Sequence, residues 1–333
     1  MKIAVIGAGA IGSYVAGRLA QAGEEVLLVG RPTQVDAVKK NGLIMKGPQG
    51  QETVQLKAAQ KLDARYDLVI FTTKTQDIEE AYDMNKDFLD DCLIMTTQNG
   101  VQADNLLSIH FDKEDMISSI VMFGATYIRP GEVVLNFPGD WIIGKPYTTN
   151  DYRLREVEAL LRTSFSVVVS QNIMGMKWLK LFVNFNNCIP ALIGKSMQET
   201  FADKDFCRLS VMLLKEGLNV VQNAKVEMES LPTFPVDRVL GLAKMPTEQA
   251  VEIIHKTLTN LSKEPLYGSI LQSIMRKKSS EIDFINGEVV VMANNLRMES
   301  SANRKIVKLV HEVEESGKFF EPEFVKREFN LKG

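Results

Sequence analysis

The chain has 333 residues, 45% of them hydrophobic, with 39 basic against 42 acidic side chains and a formal net charge of −3. That is enough chain for two domains with separate cores, and the near balance of charge leaves no electrostatic footprint for nucleic acid or an anionic membrane. No apolar run approaches the ~18 residues that span a bilayer, the first residue already belongs to a strand so that no signal peptide is read, and the three cysteines and three histidines are too scattered for a disulfide framework or a metal site, so a cytoplasmic location is the default expectation.

The apolar residues 1–6 run into Gly7-Ala8-Gly9-Ala10-Ile11-Gly12 and then into a helix-forming stretch that ends near Ala22. Strand, glycines and helix in that order form a dinucleotide-binding fingerprint. Gly7 permits the tight turn, Gly9 removes a side chain that would block a pyrophosphate, and Gly12 lets the helix pack close on the strand, while the helix start offers free N–H groups to the anion. A second strand, Glu25–Val29, ends in Gly30-Arg31. An NAD site places a carboxylate there for the ribose hydroxyls, whereas an arginine pairs with a 2′-phosphate through its planar fork of donors, so the expected cofactor is NADPH. Lys74 follows a buried strand at 66–73 and adds a second cation at a strand carboxyl end, and a further strand at 92–97 ends in Gln98-Asn99-Gly100.

Beyond a strand at 116–123, Arg129-Pro130-Gly131 reads as a turn, and residues 133–135 and Trp141–Gly144 read as antiparallel strands flanking Pro138-Gly139-Asp140. A helix at 151–162 and a strand at 166–170 close this half. From Asn172 the pattern becomes almost wholly helical, over 172–189, 204–227, 247–260, 265–277, 281–295 and 300–317, with 231–246 as the expected long loop. The expected fold is α/β: a Rossmann-type, NADP-binding domain over 1–171, followed by an all-helical substrate and catalytic domain over 172–333.

Lys180, Asn184 and Asn187 stand at i, i+4 and i+7, on one helical face. A solvated stripe would favour Glu, Gln and Lys, because asparagine is a poor helix former. One ammonium and two amides suit a site that polarises a carbonyl. Lys177 lies about 60° off that face, so its replacement is expected to leave activity within a few-fold of the parent. Residues 279–287 look like a helix start with Ser280 as N-cap and Asp283 in the first turn, where Glu281 could be dipole charge or a ligand group. On an unbroken helix Ser269 would lie roughly 18 Å from Glu281, so a shared ligand requires a break around residues 277–280.

Together these residues resemble the ketopantoate reductase family over essentially the whole chain: GxGxxG with arginine closing the second strand, Thr73-Lys74, Gln98-Asn99-Gly100, Pro130-Gly131, Trp178-x-Lys180-x-x-x-Asn184, Ser269-Ile270-Leu271-Gln272 and, most specifically, Glu281-Ile282-Asp283-Phe284-Ile285-Asn286-Gly287. The resemblance implies a Rossmann domain and a helical domain with the active site in the cleft between them, and NADPH-dependent reduction of 2-dehydropantoate in pantothenate biosynthesis. By it Lys180 is the catalytic lysine, Asn99 and Asn184 position cofactor and substrate, and Ser269 and Glu281 bind substrate, Glu281 on its hydroxyl. Two departures bear on substrate. The family's second asparagine, eight residues after the lysine, is here Cys188, with Asn187 one residue early and Pro190 beyond; the family's Val-x-His-x-Gly run lacks its histidine, reading Val133-Val134-Leu135. A relative acting on another 2-oxo acid or ketone, and a non-catalytic NADPH-binding sensor, therefore stay open as alternatives. The residues leave the oligomeric state open, a homodimer being allowed.

Overall fold

The strands of the N-terminal half, in a computed structural model that describes residues 1–48 and 50–331, are β1 (Lys2–Ile6), β2 (Glu25–Val29), β3 (Leu43–Gly47), β4 (Gly50–Val54), β5 (Lys57–Ala59), β6 (Leu68–Phe71), β7 (Leu93–Thr96), β8 (Met116–Val121), β9 (Gly124–Arg129), β10 (Glu132–Phe137), β11 (Trp141–Gly144) and β12 (Val167–Val169). Helices α1 (Ala10–Gln21), α2 (Pro32–Asn41), α3 (Ile78–Asn85), α4 (Gln102–Leu107) and α5 (Tyr152–Arg162) connect them. Eight strands form one sheet in the order β12-β11-β8-β7-β6-β1-β2-β5 and four form another, β4-β3-β10-β9. The chain divides into two compact units, Met1–Met174 and Gly175–Gly333.

β1 is apolar without alternation because both faces of a parallel sheet are covered. Ile3 and Val5 enter one core with Val15 and Leu19 of α1, and Ala4 and Ile6 enter another with Val69, Phe71 and Ile78. β1 pairs in parallel with β2 on one side and β6 on the other, with Ile6 opposite both Val29 and Phe71, and Phe71 opposite Thr96. Four strands thus finish level. The winding reverses direction beside β1, and ligands of open α/β sheets bind outside the strand carboxyl ends at such a point.

The small sheet packs on the other side of α1, where a Cβ on Gly17 would lie 2.4 Å from the Met45 sulfur. This overturns the expected pairing of 133–135 with Trp141–Gly144. β10 pairs with β9 and β3, whereas β11 pairs with β8 and β12. The residues between them cross from one sheet to the other: Asp140 accepts from the Met122 amide at 2.9 Å, and a Cβ on Gly139 would lie 2.4 Å from the Met122 carbonyl oxygen. α2, β3, β4 and β5 had no counterpart in the sequence reading.

The helical half comprises α6 (Ile173–Asn184), α7 (Cys188–Ile193), α8 (Met197–Phe201), α9 (Lys204–Asn223), α10 (Val236–Lys244), α11 (Thr247–Thr259), α12 (Ser269–Met275), α13 (Asn286–Leu296), α14 (Ser301–Ser316) and α15 (Pro322–Glu328). α10 falls in the expected long loop and buries only Val239, too little to create a periodic signal. Central α9 anchors α14: Glu216 accepts from the amides of Ala302 (3.0 Å) and Asn303 (2.8 Å), satisfying orphan donors at the α14 start. Among the described residues, no helix is long and apolar enough to cross a membrane.

Candidate active site

The level strand ends put Gly7, Arg31, Lys74 and Asn99 along one edge of the large sheet. Gly7 has φ +113°, its amide donates to Val29 O at 2.9 Å, and its carbonyl accepts from Thr72 Oγ1 at 2.7 Å and from the Gly9 amide at 2.8 Å. A Cβ on Gly12 would meet the Gly7 oxygen at 2.1 Å and Thr72 Oγ1 at 2.2 Å, so the start of α1 is seated against β1 and β6. At Gly9 the same atom would meet nothing within 4 Å. The turn is closed at Gly7 and Gly12 and open at Gly9, the shape a pyrophosphate requires. α1 has no side-chain cap and no acidic residue in its first turn, so the amides of Ala10, Ile11 and Gly12 have no partner within the helix and no carboxylate competes with an anion for them. Ala8 fits because residue 30 is glycine; a Cβ there would lie 2.3 Å from the Ala8 Cβ.

Arg31 is exposed and is the residue preceding α2, just past β2. Lys74 is half-buried between Thr73 and Thr75, whose hydroxyl oxygens are buried with no hydrogen-bond partner among the described residues. Gln98 ties the ends of β6 and β7 by donating to Phe71 O and Thr73 O, both at 3.0 Å, which fixes half-buried Asn99 next to it.

Lys180 and Asn184 lie half-buried on α6. Burial pushes the Lys180 ammonium below the ordinary lysine pKa. The helix then gives way to a 3₁₀ turn, Phe185–Asn187, before α7. Pro190 explains the change, because in a continuous α-helix its ring would clash with the carbonyl of Asn186 and offer it no N–H. A 3₁₀ turn advances about 120° per residue instead of about 100°, which keeps Asn187 above Asn184. The Asn187 amide donates to Ser269 Oγ at 3.4 Å, and Gly268 permits the approach, since a Cβ there would lie 2.7 Å from Asn187 Oδ1. Asn186 points elsewhere, accepting from Ser210 Oγ on α9 at 2.5 Å.

Cys188 is wholly buried, and its thiol, raised by burial, donates to Phe185 O at 3.1 Å. Asn187, not Cys188, carries the polar group on the Ser269 side. Lys177, on the same helix, is enclosed. It is 2% exposed, as fully enclosed as its neighbours Trp178 and Leu179. Helical angle alone could not show this, because this stretch of α6 is buried on more than one face.

Ser269 is the exposed first residue of α12. The break expected before Glu281 is present: α12 stops at Met275, Lys277 takes φ +55°, and the amides of Lys277 and Lys278 close back on Ile274 O (2.8 Å) and Ser273 O (3.0 Å). Half-buried Glu281 opens a 3₁₀ turn, Ile282–Phe284, and α13 begins only at Asn286, so the helix start expected at Ser280 lies five residues late. Ser280 caps the short turn instead, accepting from the Ile282 amide at 3.3 Å.

Residues 3–148 match the sequence pattern of the ketopantoate reductase PanE/ApbA, and residues 172–314 match its C-terminal counterpart. The chain belongs to the ketopantoate reductase family. A 2-dehydropantoate 2-reductase of Pyrococcus horikoshii is 31% identical over 321 residues, 95% of this chain and 99% of that protein. A PanE/ApbA family ketopantoate reductase from Ralstonia eutropha superposes with a TM-score of 0.79 at 27% identity, covering 95% and 99% of the two chains. A D-mandelate dehydrogenase solved with NADH and anilino(oxo)acetate gives a TM-score of 0.82 over 95% and 99%, but at 21% identity it shares the fold alone. As a ketopantoate reductase family member, the chain carries the Rossmann-like sheet domain and helical C-terminal domain that its sequence implied.

Proposed function

We propose that this ketopantoate reductase family member reduces 2-dehydropantoate to pantoate with NADPH, in pantothenate biosynthesis, with Lys180 as general acid. The observation that carries the reading is a lysine with a burial-lowered pKa, on one helical face with two amides, the second of which bonds Ser269. The Gly7–Gly12 turn, with Ala8, Ala10 and Ile11, would hold the pyrophosphate; Arg31 would hold the 2′-phosphate; Lys74 and Asn99 would complete the cofactor contacts. When bound, the reduced nicotinamide supplies a hydride to the keto carbon. Negative charge then builds on the carbonyl oxygen, where the Lys180 ammonium hydrogen-bonds it and delivers the proton. Asn184 and Asn187 would hold lysine and cofactor in register, Ser269 would donate to the substrate carboxylate, and Glu281 would accept from the substrate hydroxyl. Cytoplasmic residence is part of the proposal, and sedimentation at working concentration would test for a homodimer.

Arg31 separates the two nicotinamide cofactors. Arg31→Ala is expected to erode the kcat/KM preference for NADPH over NADH by ~1.5–3 kcal/mol, the scale of hydrogen bonds to charged groups. Equal kcat/KM for both cofactors in the parent enzyme would overturn the assignment.

Substrate is tested by NADPH oxidation with 2-dehydropantoate against 2-oxoisovalerate, which lacks the hydroxyl. A buried carboxylate left without its donor disfavours the second compound, and Glu281→Gln is expected to hurt the first more. A relative acting on another 2-oxo acid or ketone is the second reading, favoured by Cys188 and by Leu135 where the family's histidine is missing; comparable turnover of both compounds would put it ahead. Lack of turnover with any 2-oxo acid, despite NADPH binding, would leave the sensor.

A further inference from the structure

We propose that Glu314 and His311, on α14, are positioning residues that hold Glu281 for the substrate hydroxyl. The proposal rests on the reading of Glu281 given above. Residues 277–281 link α12 to the turn that Glu281 opens, without belonging to a helix or sheet. Both flanks of Glu281 are instead tied to α14. The Ser280 amide donates to Glu314 Oε1 at 2.7 Å, and Asp283 Oδ1 meets His311 Nε2 at 2.9 Å. The two ties are themselves joined, His311 Nδ1 meeting Glu314 Oε2 at 2.9 Å. Ser280 is 5% exposed and the Glu314 side chain 14%, so this half of the clamp is shielded from water; the Asp283 side chain, 55% exposed, is the looser half.

The chemistry suits a clamp. An imidazolium donates from both ring nitrogens, so a protonated His311 bridges the two carboxylates, which would otherwise repel each other. Desolvation works against that charge, yet the bonds to Asp283 and Glu314 raise the His311 pKa. α13 has its own anchor. Asn286 donates to Asn303 at 3.1 Å, and Asn303 to Glu216 at 2.8 Å. Loss of Glu314 therefore loosens the segment around Glu281 while the packing of α13 on α14 and α9 keeps its own polar ties.

The test compares steady-state constants for 2-dehydropantoate and 2-oxoisovalerate in Glu314→Ala, Glu314→Gln, His311→Ala and Glu281→Gln, together with NADPH affinity. Glu314→Ala is expected to raise KM for 2-dehydropantoate by roughly tenfold, the scale of one charged hydrogen bond, with kcat and NADPH affinity within about threefold and the constants for 2-oxoisovalerate little changed. Glu314→Gln is expected to recover most of the loss, because its amide oxygen still accepts from Ser280. His311→Ala, which spares the Glu314–Ser280 bond, is expected to shift the same ratio by about twofold. A merely structural role would lower both substrates together and leave their ratio unmoved; that result, with Glu281→Gln still shifting the ratio, overturns the clamp alone. If Glu281→Gln also leaves the ratio unmoved, the reading of Glu281 falls and the clamp falls with it. Should Glu314→Ala not fold, an unchanged ratio in His311→Ala overturns the proposal.

Discussion

Lys180→Ala is expected to lower kcat by roughly 10²–10⁴ at saturating NADPH and substrate, the usual contribution of a positioned acid, while NADPH affinity changes little. On the proposed mechanism the substitution removes the donor that would meet charge on the carbonyl oxygen, an interaction much stronger in the transition state than before it. The pH profile gives a second check. A general acid must be protonated, so reduction is expected to be insensitive to pH while Lys180 carries its proton and to fall as pH rises through its pKa. Burial sets that pKa below the ordinary lysine value of about 10.4. The fall should vanish in Lys180→Ala. Lys177→Ala is expected to behave differently: kcat should stay within a few-fold of the parent, while at 2% exposure the loss of the side chain leaves a cavity and should lower stability by ~2–4 kcal/mol in denaturant titrations. Near-normal kcat in Lys180→Ala would put the catalytic acid elsewhere.

The sequence was most informative where one short segment must satisfy several constraints at once. Between Lys2 and Arg31, strand, glycine turn, helix and second strand each leave a distinct residue pattern, and the observed elements begin and end within a few residues of the reading. Long-range pairing left no such mark. The residues of β10 and β11 suit an antiparallel hairpin as well as they suit strands in two different sheets; what separates them is the pass of Gly139 against Met122, a contact between segments. α10 escaped because a helix burying one side chain has little apolar periodicity. In the site, the Lys180, Asn184 and Asn187 spacing was visible, but the 3₁₀ turn that holds Asn187 in line was legible only as a consequence of Pro190. The bonds of Glu314 and His311 run to residues about 30 positions away, a separation that spacing along one helix does not reveal.

Two identical substitutions three residues apart should separate fold from cofactor binding. In Gly12→Ala the new Cβ falls 2.1 Å from a backbone oxygen and 2.2 Å from Thr72 Oγ1, which itself donates to the carbonyls of Gly7 and Ile6. Relief requires α1 to move off β1, at the point where four strands end level. Overpacking of this kind costs ~1–3 kcal/mol where neighbours can yield and more where they are backbone, so a large fall in Tm is expected, with loss of NADPH binding as a consequence. In Gly9→Ala the backbone, at φ −81° and ψ −158°, is one that alanine adopts freely, and the Cβ meets nothing within 4 Å. Stability should stay within ~0.5 kcal/mol of the parent, as for a surface change that touches no neighbour. The methyl group nevertheless stands where a pyrophosphate would approach the amides of the turn. NADPH affinity is therefore expected to fall by about 10- to 100-fold, the equivalent of ~1.4–2.8 kcal/mol, measured by fluorescence titration of the folded variant. If Gly9→Ala binds NADPH as the parent does, the dinucleotide does not lie against this turn, and the assignment of residues 7–12 is overturned whatever Gly12→Ala does to the fold.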